Sequence, residues 1–265
     1  NISVISYIAA ALAYLVLFGL SLANWRGRMP GKLLALTCLV SVLWSGVVAY
    51  HAAHGYQATL GADLLEFLRN GIWAFFLLTL LGSFRQIEGQ PFRRVRPVTV
   101  ILAGFYLLLF FGLAYSYSSN SNAVSGFPLG IMGFLAGIVG RVMMAIIGIA
   151  LVAQLYRNVP PSERWGIKLL CLGVGGAFAY DFYLYSEAML FRRVDIGLWS
   201  ARGVVNVLVV PIVAISAMRD PSWSLNLSVS RQVILSSTAL FGAGVYLLAM
   251  AAAGYYIRDF GGNWG

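Results

Sequence analysis

Charge is scarce in this chain, and what is scarce says most about it. Of 265 residues 10% are Asp, Glu, Lys or Arg, with nine acidic against eighteen basic side chains. A soluble domain carries about a quarter charged residues. With 60% hydrophobic residues and a mean hydropathy of +0.82, water is excluded as the solvent for most of this chain's surface. Two cysteines and two histidines are too few for a disulfide framework or a Cys/His zinc cluster. Long polar stretches are lacking too, so no connector is large enough to fold as a soluble domain, and residues 1–265 read as a single transmembrane domain. The sequence holds no nucleophile elbow, zinc-protease His pair or kinase glycine loop. Gly173-Val174-Gly175-Gly176 lies inside an apolar run without the Lys-Ser/Thr of a phosphate loop, and predicts close helix packing instead.

What is present is a succession of apolar runs about as long as a bilayer is thick. A hydrocarbon core is crossed by about 20 residues in helical form. Eight segments qualify, at 5–24, 33–53, 63–84, 98–117, 129–156, 167–190, 198–218 and 233–257. They are too long and too uniformly apolar for barrel strands. The fold class is therefore all-α, a polytopic transmembrane helix bundle, and the lipid bilayer is its first partner.

The basic balance, pI near 9.8, would suggest nucleic acid in a soluble protein, but its distribution argues for topology. Connectors 25–32, 85–97, 157–168 and 219–231 hold Arg26, Arg28, Lys32, Arg85, Arg93, Arg94, Arg96, Arg157, Arg164, Lys168, Arg219 and Arg231. The connectors between them are poorer: 54–62 and 118–128 have no Lys or Arg, and 191–197 has Arg192 and Arg193. By the positive-inside bias the first set is cytoplasmic and both ends of the chain face outward. No nucleic-acid partner is expected. Cys38 and Cys171 fall in apolar helices and read as packing residues. Trp25, Trp165, Trp199, Trp223 and Trp264 fall near segment boundaries and read as interfacial anchors.

An ionisable side chain inside a span costs a few kcal/mol on insertion scales, so each one is a candidate functional position facing the bundle interior. The third segment places Glu66, Arg69, Asn70 and Trp73 on one helical face. The fifth carries Arg141 among Gly133, Gly137 and Gly140. In the sixth, Tyr180, Tyr183 and Glu187 share a face, with Asp181 rotated away; the seventh has Ser200, Arg202, Asn206 and Pro211. Counting about 1.5 Å per residue, Arg141 and Asp181 reach comparable mid-membrane depth, a possible charge pair. Glu66, Arg69, Glu187 and Arg202 fall in the outer leaflet, so the polar interior opens outward. His51 and His54, three apart, have the spacing of a metal or haem ligand pair, but two histidines with no nearby cysteine predict no metal site.

One set of residues carries a more specific signal. It comprises Arg164-Trp165-Gly166-Ile167-Lys168, the run Phe178-Ala179-Tyr180-Asp181-Phe182-Tyr183-Leu184-Tyr185-Ser186, Leu190-Phe191-Arg192-Arg193, Trp199-Ser200-Ala201-Arg202-Gly203, Val210-Pro211, Pro221 with Trp223-Ser224-Leu225, Ser230-Arg231 and Ala252-Ala253-Gly254-Tyr255-Tyr256-Ile257-Arg258. Over about 160–265 these resemble the membrane-embedded amino-terminal region of PEP-CTERM-system histidine kinases of the PrsK type. The first half matches only in general pattern. The resemblance implies a further helix, a cytoplasmic GAF-like region and a kinase core using ATP and Mg. That core would phosphorylate a response regulator controlling exopolysaccharide and exosortase-linked sorting genes in the bacterial inner membrane, commonly as a homodimer. No cofactor is expected in this chain, no catalytic residue is carried onto it, and an even span count agrees with a missing output helix. Glu66, Arg69, Arg141, Tyr180, Asp181, Tyr183, Glu187, Arg202 and Asn206 are then the candidate ligand-sensing cluster. The rival expectations are a small-solute or ion transporter using Arg141 and Asp181, and a purely structural anchor.

Overall fold

A computed structural model describes residues 2–23, 29–55, 59–87, 95–119, 135–159 and 164–219. The helices are α1 (Ile2–Ala23), α2 (Met29–His54), α3 (Leu60–Ile87), α4 (Val95–Ser119), α5 (Gly140–Asn158), α6 (Arg164–Phe191) and α7 (Ile196–Arg219). A five-residue π-helical turn, Leu135–Val139, leads into α5. All seven helices are long and apolar enough to cross a membrane, and among the described residues there is no strand. The count is thus seven described spans rather than eight; the predicted segment 233–257 lies outside the described residues.

The ends follow local chemistry. Pro30 sits in the first turn of α2, where its missing N–H costs nothing. Gly55 takes a positive φ of 67° directly after His54, the left-handed conformation that ends a helix cheaply only at glycine. Arg192, φ 54°, plays the same part after α6. The α7 start is capped by Asp195, whose Oδ1 accepts the Leu198 N–H at 2.9 Å. Pro211 lies inside α7, which continues past it to Arg219.

Neighbouring helices register through small residues. A Cβ on Gly148 of α5 would collide with the Phe178 ring of α6, and one on Gly203 of α7 with Ser6 of α1. The predicted packing glycines behave the same way in part: Gly173 would meet Ile212 at 3.1 Å and Gly175 would meet Val152 at 3.3 Å, whereas Gly176 faces open space. Such close approach is how helices associate where lipid is as apolar as the side chains. Cys38 is buried and Cys171 partly buried. Helix α4 turns most of its apolar surface, including Ile101, Leu108 and Phe111, out of the bundle.

Side-chain contacts give the relative directions. Ser3 and Ser6 of α1 bond to Ser200 of α7, and Tyr14 to Asn206, so α1 and α7 run parallel. Ser216, near the α7 end, donates to the Gly166 carbonyl at the α6 start, so α6 and α7 are antiparallel. The starts of α1, α3, α5 and α7 and the ends of α2, α4 and α6 thereby gather at one end of the bundle.

Candidate functional site: a buried ion network

That end contains three arginines and three carboxylates, all buried: Asp63, Glu66 and Arg69 of α3, Arg141 of α5, Asp181 of α6 and Arg202 of α7. Their spacing within α3 makes the hub. Positions 63, 66, 69, 70 and 73 follow a helical stripe, and each of these five side chains is buried, so the face predicted to be internal is internal.

Glu66 is the centre. Its Oε2 accepts Arg141 Nε at 3.2 Å, and its Oε1 accepts Arg202 Nη2 at 2.5 Å together with the Tyr185 hydroxyl. Arg202 grips Asp181 with two parallel bonds, Nε to Oδ1 at 2.7 Å and Nη2 to Oδ2 at 2.8 Å, and donates from Nη1 to the Tyr185 oxygen at 3.0 Å. This fork geometry is what guanidinium offers and ammonium does not. Arg141 donates from Nη2 to Asp63 Oδ1 at 2.5 Å and from Nη1 to the Gly137 carbonyl at 3.0 Å. The π-helical turn therefore supplies an acceptor to the network. Asp63 Oδ2 receives the Tyr117 hydroxyl of α4 at 2.9 Å.

Arg69 extends the network to α1. Its Nη2 donates to Asn206 Oδ1 at 2.7 Å, an oxygen that also accepts Tyr14, while Asn206 Nδ2 is anchored on the Arg202 carbonyl at 2.9 Å. Trp44 of α2 packs against two cations, with its ring centre 4.3 Å from the Arg69 guanidinium carbon and 4.8 Å from that of Arg202. Desolvated cation–π contacts of this kind contribute about 2 kcal/mol. Side chains of all seven helices thus meet here. The formal charges cancel, three against three, which makes so much burial tolerable.

Several sequence expectations are corrected. Arg141 and Asp181 are not partners: Arg141 is taken by Asp63 and Glu66, and Asp181 by Arg202, with Arg69 3.9 Å away. The α5 helix begins at Gly140, so Arg141 stands at its first turn and not at its middle. On α6 the inward face is the one carrying Phe178, Asp181, Leu184, Tyr185 and Ala188. Tyr183 consequently points out of the bundle, 55% exposed, and Tyr180 is half-buried with its hydroxyl on the Leu198 carbonyl at 2.7 Å. Glu187 is partly buried and outside the network, its Oε2 without a hydrogen-bond partner among the described residues. Trp199 is a packing residue, its carbonyl accepting Tyr7 at 2.9 Å and its ring centre 5.3 Å from the Arg202 guanidinium carbon. Trp165, 68% exposed at the α6 start, does lie where an interfacial anchor would. Trp25, Trp223 and Trp264 lie outside the described residues.

Asp63, Tyr185, Tyr14, Tyr117 and Trp44 are the members sequence reasoning missed. Asp63 had a signal, since it sits three residues before Glu66 on the same stripe, but it is the first residue of the predicted segment 63–84, where a charge can reach the interface at little cost. Tyr185 is four residues after Asp181 and could have been found from that spacing. His51 approaches Thr59 at 3.4 Å and His54 stacks on Tyr50; two residues on one side of one helix cannot enclose an ion from opposite sides. Among the described residues no group of three or more His, Cys, Asp or Glu side chains gathers around a point that could hold a metal.

No family model matches this chain, and no solved structure does. A 103-residue stretch is 26% identical to the cytochrome b of Sulfolobus acidocaldarius, a match covering 37% of this chain and 18% of that protein. The chain thus spans less than a fifth of that relative's length, and the likeness fits a membrane protein in general. Length, composition and the seven apolar helices make this chain a multi-pass helical membrane protein.

Proposed function

We propose that this chain is the sensory transmembrane domain of a two-component histidine kinase of the PEP-CTERM-system type, acting in a bacterial inner membrane. The observation that supports it is the ion network, which is concentrated at one bundle end and reaches every described helix. Helices in lipid associate through close packing at small residues and neutral interhelical hydrogen bonds, and this bundle has both, so six buried charges are more than packing calls for. A charge network with bidentate geometry has discrete arrangements, and a stimulus that binds one better than the other shifts the population. By the charge bias of the connectors, the network end faces outward, where an envelope signal would arrive. The α7 segment, holding Arg202 and Asn206, would pass a change in that network toward the cytoplasmic side.

In this reading the kinase core, its ATP and Mg, its response regulator and its homodimeric contacts belong to parts of the protein beyond these helices. All carboxylate oxygens of the network are already engaged, so a stimulus would act by re-pairing them and not by filling a vacant charged site. The test uses the protein joined to its kinase core. Arg141→Ala and Asp181→Ala are expected to change autophosphorylation several-fold while membrane insertion is retained. Native output from stably folded variants would overturn the reading, as would unchanged output with equal losses of thermal stability, the signature of a structural anchor. Solute flux through liposomes containing this chain alone would favour the transporter.

A further inference from the structure

The network leaves its unspent hydrogen-bonding capacity in one place. Each of the six oxygens of Asp63, Glu66 and Asp181 accepts at least one hydrogen bond. Arg141 and Arg202 each donate from three nitrogens. Arg69 differs. Only Nη2 is bonded; Nη1 stands 3.9 Å from Asp181 Oδ2, beyond hydrogen-bond range, and neither Nη1 nor Nε meets an acceptor among the described residues. Its side chain is 3% exposed, so bulk solvent does not satisfy these donors. Buried, unmet donors on a charged group are among the most costly defects a structure can carry.

Beside them lies a cavity between α1, α3, α6 and α7, lined by Tyr14, Arg69, Asn70, Phe178, Asp181 and Val209 among others, with room for about one water molecule. Its polar wall is Arg69, Asn70 and Asp181, and the remainder is mostly apolar. We propose that this cavity is a binding site for a single neutral, water-sized hydrogen-bonding molecule, namely water, accepting from Arg69 and donating to Asp181 Oδ2. The charge count selects a neutral occupant. Three arginines already balance three carboxylates, so an anion would leave net negative charge in a buried site, and a cation would face the unpaired guanidinium edge. The distance is suitable as well, because one oxygen can lie about 2.8–3.0 Å from both atoms of a pair 3.9 Å apart. Helices α3 and α6, already linked directly by the Tyr185 hydroxyl on Glu66, then gain a second link through an exchangeable molecule, whereas α6 and α7 are joined by the Arg202 fork.

This inference does not depend on the sensory reading, and its test reads only structure and stability. In the purified chain in nanodiscs, Val209→Ile and Val174→Ile each add one methyl toward the cavity without changing β-branching. Displacement of a bound water predicts a Tm lowered by several degrees in each. In an Arg69→Met background, where the guanidinium host is gone, the same additions are expected to leave Tm unchanged or raise it. A higher or unaltered Tm in the native background shows a dry cavity and overturns the proposal. Equal lowering in both backgrounds shows simple overpacking and also overturns it. Should Arg69→Met not fold, density maps of the native chain decide: an ordered water within bonding distance of Arg69 and Asp181 supports the site, and a larger or charged occupant refutes it.

Discussion

Glu66 shows how a residue's setting outweighs its chemistry. In water a glutamate is an ordinary surface group; here it is 1% exposed and serves as acceptor for two arginines and a tyrosine. Replacing it with Gln removes one negative charge while leaving Arg141 and Arg202 in place. Breaking a buried pair from one side costs about 3–5 kcal/mol, so Glu66→Gln is expected to lower stability by that order in a reversible unfolding assay. Tyr183→Phe, two residues from Tyr185 but facing outward, should change it by less than about 0.5 kcal/mol. The contrast tests which α6 face is internal, since the opposite ranking would return Tyr183 to the interior. Sequence alone identified which residues were unusual for a membrane. It could not pair them, because Arg141 and Asp181 shared an estimated depth while their partners depended on helix rotation and on where α5 begins.

At the level of elements, apolar run length predicted the seven described helices with ends displaced by a few residues. Around α5 the predicted segment runs from 129, its first residues lie outside the described ones, and the described part opens with the π-helical turn Leu135–Val139 before the α-helix begins at Gly140. Hydropathy does not distinguish π from α geometry, since it sums the apolar character of the residues and is blind to the backbone hydrogen-bond register that separates the two. The helix crossings give a direct test. Gly148→Ala would drive a methyl into Phe178, pushing α5 from α6, and overpacking of this kind costs about 1–3 kcal/mol. Gly176→Ala, on the same pair of helices but with nothing within 4 Å of its Cβ, removes a helix-weakening glycine and should be neutral or stabilising by up to about 1 kcal/mol. Thermal unfolding of the two variants, measured together, distinguishes crossing geometry from propensity.

For the whole molecule, the decisive property is asymmetry between the two bundle ends. One end holds the ion network, while in the sequence the alternate connectors 25–32, 85–97, 157–168 and 219–231, expected on the opposite side, carry twelve of the eighteen Lys and Arg. If the positive-inside bias sets orientation, then His54→Cys and Ser118→Cys will react with a membrane-impermeant thiol reagent added outside intact cells. Trp165→Cys and Asn158→Cys will react only after permeabilisation, all in a Cys38→Ala, Cys171→Ala background. Labelling of the second pair from outside would invert the molecule and place the network toward the cytoplasm. Sequence by itself determined the solvent, the helical class and the approximate spans, because these follow from how much apolar surface each stretch carries and from the need to satisfy the backbone within the segment. It also marked the few charges that had to be sheltered. Only the tertiary structure decided their partners, the inward face of α6, and the unpaired edge of Arg69, because those depend on rotations and crossings of separate helices that contacts distant in the chain, and not local composition, select.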